Sequence, residues 1–421
     1  MAGGNILVVF LSYPLYLHYL GVELYGLWSA ISIVLVFADL GNLGISNAII
    51  KYTAEEWGRK NKTGITEYIS TSFILLFIPS IIIIAFLIFA RNWIPTILKL
   101  KSDYFTIAKS IIPPMGILSM CVFYTKVLMG SVMGLGRVDI SNYIFLAGNL
   151  IKIALTVFLL MMGFGIWALF YGALINNILL LIIYSLIIKY TFKIKVFSLN
   201  GFSIEKLKIL VRFGSNMVGS QIFNMFMEPF IKISITRFIS LSAVTYFDIA
   251  WRSVLHLRSF FERGLNAIMP RISELNSIKN FDSEEDIIDI HNKALKFSVF
   301  FGIPSFFFIF LFSDRLLKIW LRNNFNPAIS VIFKYLLIAW GISLLFLPSY
   351  FLLMGIGKEK YCFHEALIKS GLTFLLIISL SLSGILTLNS TVISVSISII
   401  ISHLYIGYKY LRYLNISKLE N

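Results

Sequence analysis

Met133-Gly-Leu-Gly-Arg137 returns as Met354-Gly-Ile-Gly-Lys358, an offset of 221 residues. Three further matches follow the same order. Leu24-Tyr25 aligns with Thr245-Tyr246 at 221, Asn47-Ala-Ile49 with Asn266-Ala-Ile268 at 219, and Gly165-Ile166 with Gly384-Ile385 at 219. One such match is weak, because small and apolar residues recur by chance in an apolar chain. Four at nearly one offset indicate an internal duplication.

Composition says what is duplicated. Of 421 residues, 58% are hydrophobic and 14% charged, and the mean hydropathy is +0.85. A soluble protein could not hide that much apolar surface. Apolar runs of roughly 20 residues recur along the chain, the length needed to cross a bilayer as a helix. Twelve spans are expected. The first six lie near Ile6–Leu20, Leu24–Ile50, Tyr68–Ala90, Ile111–Met133, Ile140–Met162 and Gly165–Ile188. The second six lie near Arg212–Phe238, Val244–Ile268, Leu295–Phe312, Ala328–Met354, Phe363–Leu382 and Ile385–Tyr410. The expected fold class is therefore an all-α polytopic membrane protein of two six-helix bundles, residues 1–188 and 212–421. A cytoplasmic linker, 189–211, joins them and carries an interfacial helix over Ile204–Val211. A repeat of six spans leaves both copies in the same orientation, so they form a parallel repeat about an axis along the membrane normal. Transporters built this way place the substrate between the halves.

The formal net charge of +15 would suggest nucleic acid in a soluble protein. In a spanning chain its distribution matters more. With the N-terminus inside, the inner loops and C-terminal tail hold twenty Lys and Arg and the outer loops nine. That bias places both termini in the cytoplasm, and no nucleic-acid partner is expected.

The costliest residues lie inside the spans. Between Asp248 and Arg263 an otherwise apolar stretch carries Asp248, Arg252, His256, Arg258, Glu262 and Arg263. A charge at bilayer depth costs about 2.5–3.5 kcal/mol on insertion scales, so it is usually paired or functional. At about 100° per residue these six share one broad helix face with Ser259 and Asn266. Val254, Leu257, Phe260, Phe261 and Ile268 form the other. Two readings stand. A mostly cationic wet face suits a cavity that receives an anion. Alternatively, Asp248–Arg252 and Arg258–Glu262 pair at i,i+4, which leaves Arg263 and His256 without a partner in their own helix.

The seventh span carries a second stripe, Asn216, Ser220, Asn224, Glu228 and Lys232, with Gln221 beside it and Pro229 after the carboxylate. Glu228 suits cation coupling, or equally an ion pair with Lys232. The second span carries Asp39, Asn42, Ser46 and Asn47. No Walker motif, no Cys/His metal cluster and no large outer loop of the kind a membrane glycosyl polymerase needs is present. Neither a catalytic residue nor a metal site is expected.

At this point the sequence resembles a known family. Pro14-Leu-Tyr-Leu-His-Tyr-Leu-Gly-Val-Glu-Leu-Tyr-Gly-Leu-Trp28, then Asp39-Leu-Gly41 and Lys51-Tyr52, is similar to the opening of the polysaccharide biosynthesis flippases. These are the O-antigen repeat-unit translocases of the multidrug/oligosaccharidyl-lipid/polysaccharide exporter superfamily. The Met-Gly-x-Gly-Arg/Lys repeats and Leu316-Leu-Lys-Ile-Trp-Leu321 also fit.

The resemblance implies a MATE-like V of two bundles in a bacterial or archaeal plasma membrane. It implies transport of undecaprenyl-pyrophosphate-linked oligosaccharide by alternating access, for surface polysaccharide. The partners implied are the lipid-linked cargo, the bilayer, and polysaccharide polymerase and chain-length machinery. No cofactor is implied beyond coupling to a proton gradient, a sodium gradient or membrane potential. The pyrophosphate candidates are then Arg252, Arg263, Arg258, Lys232, His256 and His18, the last standing where the family commonly has arginine or lysine. The ion-coupling candidates are Glu228, Asp248, Asp39 and Glu262. The alternative is a MATE-type drug/cation antiporter of the same architecture, which calls for an acidic, aromatic cavity.

Overall fold

The computed structural model describes residues 2–39, 44–266, 268–278 and 281–420. It describes the side chains of these residues except at 2–7, 9, 37–39, 199, 214–222, 224, 277, 278, 281–284 and 415–420. Every regular element among the described residues is helical. In chain order these are α1 (Ala2–Ile31), α2 (Ile33–Asp39), α3 (Ile45–Gly58), α4 (Lys62–Ala90), α5 (Trp93–Ile97), α6 (Ser102–Gly134), α7 (Val138–Met161) and α8 (Trp167–Leu186). There follow α9 (Ile204–Phe238), α10 (Leu241–Asn266), α11 (Ile268–Ile278), α12 (Phe281–Phe297), α13 (Ile303–Leu321), α14 (Pro327–Gly355), α15 (Glu359–Leu382) and α16 (Leu388–Glu420).

The chain is a multi-pass helical membrane protein. Among the described residues, nine helical segments are long and apolar enough to cross a bilayer. The expected seventh and eighth spans, here α9 and α10, are not among them. In α10 the charges are the reason, Asp248, Arg252, Arg258, Glu262 and Arg263, whereas in α9 the described side chains do not form an unbroken stretch of that length. The expected second span, Leu24–Ile50, is not a single helix. Its first part continues α1, which bends at Gly21 (φ 72°), and the rest is divided between α2 and α3.

Two compact units form. One is Leu15–Met225; the other is Ala2–Pro14 together with Phe226–Asn421. The divisions fall within α1 and α9, whereas the sequence suggested a linker over 189–211. The stretch read as an interfacial helix, Ile204–Val211, is the first part of the continuous α9. Phe10 and Tyr13 show why the N-terminal segment joins the second unit. The Trp320 indole donates to the Phe10 carbonyl at 2.7 Å, and the Tyr13 hydroxyl donates to Asp248 Oδ2 at 2.8 Å.

The duplication is written in the helix ends. Helices α7 and α15 both have 24 residues and start 221 apart. At the end of α6, the Arg137 amide reaches the Val132 carbonyl at 3.2 Å and that of Gly136 reaches Met133 at 3.0 Å. At the end of α14, Lys358 reaches Leu353 at 2.8 Å and Gly357 reaches Met354 at 3.1 Å. Both are Schellman closures, which need a left-handed residue that glycine adopts without strain. Gly136 (φ 80°) and Gly357 (φ 74°) supply it. The same closure ends α7 at Gly163 (φ 84°) and α15 at Gly384 (φ 70°). The partner of Gly384 is thus Gly163 at 221, not Gly165 at 219.

Within its unit, α6 packs against α3, α4 and α8, and α14 packs against α10, α11, α13 and α16. A helix with neighbours on most sides must be apolar or small around most of its circumference, and α6 and α14 bury residues all round. Gly134 and Gly355 let the neighbouring backbones come close. A Cβ on Gly134 would stand 2.6 Å from the Ile50 carbonyl oxygen, and one on Gly355 would stand 2.8 Å from Ile272 Cγ2. Gly58, by contrast, faces open space. Gly134→Ala is therefore expected to cost about 1–3 kcal/mol through overpacking against backbone, whereas Gly58→Ala should be neutral or slightly stabilising. Thermal unfolding of both variants in detergent checks this, and equal midpoints would contradict the close approach.

Candidate functional site

In the second unit α9 and α10 bring four charged side chains together. Lys232 and Asp248 are each only 2% exposed, Glu228 is 24% exposed and Arg252 42%. The Lys232 ammonium donates to Asp248 Oδ1 at 2.5 Å and to Glu228 Oε1 at 2.8 Å. Arg252 spans the same two oxygens, with Nε 3.0 Å from Asp248 Oδ1 and Nη2 3.2 Å from Glu228 Oε1. Neutral donors take the remaining oxygens, Tyr13 on Asp248 Oδ2 at 2.8 Å and the Trp251 indole on Glu228 Oε2 at 3.3 Å. Each carboxylate thus shares one oxygen between both cations and gives the other to a ring donor. The cluster holds two positive and two negative charges, which is what burial away from water requires.

Farther along α10 the arrangement opens. Arg258 Nη1 lies 3.1 Å from Glu262 Oε2, and its guanidinium sits over the Trp340 ring, 4.4 Å from the centroid. Arg258 Nε and Trp340 Nε1 are buried without a hydrogen-bond partner among the described residues. His256 is partly buried, while Arg263 is exposed and makes no ion pair among the described residues. The polar face of α10 thus begins at the fully buried Asp248 and ends at the exposed Arg263, with Arg252 42% and Arg258 15% exposed between them. The expected apolar face is not uniform either, because Val254 and Phe261 are buried but Phe260 is 54% exposed.

Both i,i+4 pairs anticipated in this helix are present, as is the Glu228–Lys232 pair. The cross-helix pairing of Lys232 with Asp248 was not anticipated. It holds Lys232, a pyrophosphate candidate, against two carboxylates. His18 belongs to the first unit, where it is exposed and packs edge-on against Tyr19. The side chain of Asp39, and Asn42, Asn216, Ser220, Gln221 and Asn224 with them, lie outside the described residues.

A second buried ionic group was missed in the sequence. Glu365 Oε1, on α15, accepts from Lys369 at 3.1 Å and from the Ser402 hydroxyl of α16 at 3.1 Å, with His403 Nδ1 at 3.7 Å. Glu365 and His403 are 3% and 2% exposed. The readable signal was Glu365-x-x-x-Lys369, the same spacing as in α10. Trp340 lies between the two groups, with its ring 6.0 Å from Trp251 on one side and 6.0 Å from His403 on the other.

Removing one member of the Lys232–Asp248 pair strands a buried charge. Lys232→Met is expected to cost about 3–5 kcal/mol. Lys232→Met with Asp248→Asn should recover much of that, because Glu228 and Arg252 still neutralise each other. A double-mutant cycle on the unfolding midpoint tests it, and simple additivity would refute the coupling.

A family described as polysaccharide biosynthesis protein matches residues 19–330. No curated protein matches the sequence. Among solved structures, the lipid II flippase MurJ in its inward closed conformation superposes with a TM-score of 0.74 at 18% identity, covering 96% of this chain and 85% of that one. An inward-facing multidrug resistance MATE family transporter of the MOP superfamily gives 0.69 at 16% identity, covering 98% and 94%. A MOP superfamily transporter from Pyrococcus furiosus gives 0.63 at 14% identity, covering 100% and 96%. Likeness at these identities is likeness of fold, and it runs the length of the chain. The match over residues 19–330 reaches further, to the family: this chain belongs to the polysaccharide biosynthesis proteins.

Proposed function

We propose that the chain is a flippase for an oligosaccharide linked through pyrophosphate to undecaprenol or a similar polyprenol. It works by alternating access and serves surface polysaccharide synthesis in a plasma membrane with both termini cytoplasmic. The observation that carries this reading is the charge surplus of the Lys232–Asp248 cluster and the polar face of α10. There four cations, Lys232, Arg252, Arg258 and Arg263, meet three acids, Glu228, Asp248 and Glu262, and Arg263 makes no ion pair among the described residues. The family match and the MurJ-like fold support it. No bond of the cargo need be made or broken, so the activity is transport and no catalytic residue is assigned.

In this reading Arg263 draws in the pyrophosphate by charge-assisted hydrogen bonding. Arg252 follows, since its side chain is 42% exposed and its bond to Glu228 is 3.2 Å long. An anion that takes Arg252 leaves Glu228 to bind a proton or a sodium ion. The cargo and the cation then favour the same state, which is the differential affinity that alternating access requires. Asp248 keeps Lys232 and Tyr13 throughout and serves as the fixed anchor.

Arg263→Ala should lower export of surface polysaccharide about tenfold or more, the worth of one charge-assisted bond. Arg263→Lys should restore part of it. Export is scored as surface polysaccharide in a strain that carries only the variant, at matched protein abundance. Wild-type export by Arg263→Ala would remove the headgroup role. Altered sensitivity to cationic drugs, with export intact, would favour the antiporter reading instead.

A further inference from the structure

The first unit contains a polar cleft of 380 Å³ that shares no residue with the ionic cluster around Lys232. Its lining includes Lys62, Thr63, Glu67, Lys193, Lys195 and Ser198. We infer that it binds the phosphate of an anionic phospholipid headgroup.

Charge is the first argument. Three lysines face one acid, and that acid is already taken. Lys206 Nζ lies 2.7 Å from Glu67 Oε2 and also donates to the Gly64 carbonyl at 2.9 Å. The Lys193 and Lys195 ammonium groups are exposed and make no ion pair among the described residues. Lys62 donates to the Phe192 carbonyl at 2.9 Å, a neutral acceptor that leaves its charge uncompensated. An ammonium group has three donors, so two remain for an anion.

The second argument is that the wall is built in advance. The Ser198 amide donates to Ser70 Oγ at 3.0 Å, and the Ser203 amide donates to Thr71 Oγ1 at 3.1 Å. Gly201 lies so close to α4 that a Cβ there would stand 3.1 Å from Ser70 Oγ. The segment that carries Ser198 is thus held to α4 by its backbone, and little ordering remains when an anion binds.

Position points to a lipid as the source of the phosphate. Helix α4 begins at Lys62, and the spanning segment Trp167–Thr191 ends two residues before Lys193. The cleft therefore lies where spans meet the headgroup layer. Exposed Trp57, Tyr190 and Phe197 flank the lining residues in sequence, as aromatic side chains do at a membrane interface. The three lysines belong to the loops that the Lys/Arg bias assigns to the cytoplasm, where the leaflet is anionic. The site is independent of the cargo, so it stands or falls apart from the flippase reading.

The full chain in detergent is titrated with phosphatidylglycerol, with phosphatidylcholine and with inorganic phosphate, and binding is read by native mass spectrometry and thermal shift. Phosphatidylglycerol should bind and raise the unfolding midpoint, and the other two should not. Lys62→Gln with Lys193→Gln and Lys195→Gln should weaken phosphatidylglycerol binding roughly 100-fold. Lys193→Gln with Lys195→Gln, which spares the bond to Phe192, should weaken it roughly 30-fold and unfold like the wild type in phosphatidylcholine. Wild-type affinity in the double variant would overturn the site. Inorganic phosphate binding as tightly as the lipid would overturn the lipid assignment.

Discussion

A lysine buried to 2% exposure beside an equally buried aspartate sets the terms for the second unit. Ions are strongly disfavoured away from water, so each must find its opposite within contact distance. Lys232 does so across helices to Asp248 and along its own helix to Glu228, and Arg252 closes the square. This constraint fixes how α9 and α10 face each other. It also recruits Tyr13 from the beginning of the chain, because the second oxygen of Asp248 needs a donor. A purely apolar contact would tolerate sliding by a turn, but a four-charge square does not.

The same constraint separates anchoring charges from available ones. Lys232 with Asp248 in the square, and Glu365 with Lys369, are spent on each other. Along α10 Asp248 is buried, Arg258 is 15% exposed, Arg252 is 42% exposed and Arg263 is exposed, and availability for an anion follows that exposure and not the order in the chain. The proposed flippase would use both kinds of charge: fixed pairs to preserve the packing between states, and a more exposed one, Arg252 on Glu228, to exchange partners with an anionic cargo. Trp340 touches both groups through aromatic contacts and carries Arg258 on its face. Its place between them makes it a physical link between the two ionic groups of the unit.

The repeated helix closures show how much one short motif can specify. Met-Gly-x-Gly followed by a cation combines two separate demands. Its first glycine permits backbone contact with a neighbouring helix, and its second takes the left-handed conformation that ends the helix. Both are local or nearly local, so both survive in the sequence of each copy. Several span ends were legible for the same reason, since those expected at Ala90, Met133, Met354 and Leu382 fall within one residue of the ends of α4, α6, α14 and α15. In α9 and α10 the sequence showed the pairs at i,i+4 but not the ones between helices, because those partners are set by packing.

By itself the sequence determined the helical membrane fold, the duplication, the family resemblance and the pairs at i,i+4. Each depends on a period or a motif within one segment. Only the tertiary structure decided that Lys232 meets Asp248, that Tyr13 reaches the same carboxylate across 235 positions, and that Glu365 gathers Ser402 and His403. It also groups the chain into two compact units divided within α1 and α9. Helical periodicity tells which residues share a face. It does not tell which face of another helix they will meet, because that choice is made by packing and by charge neutralisation among elements far apart in the chain.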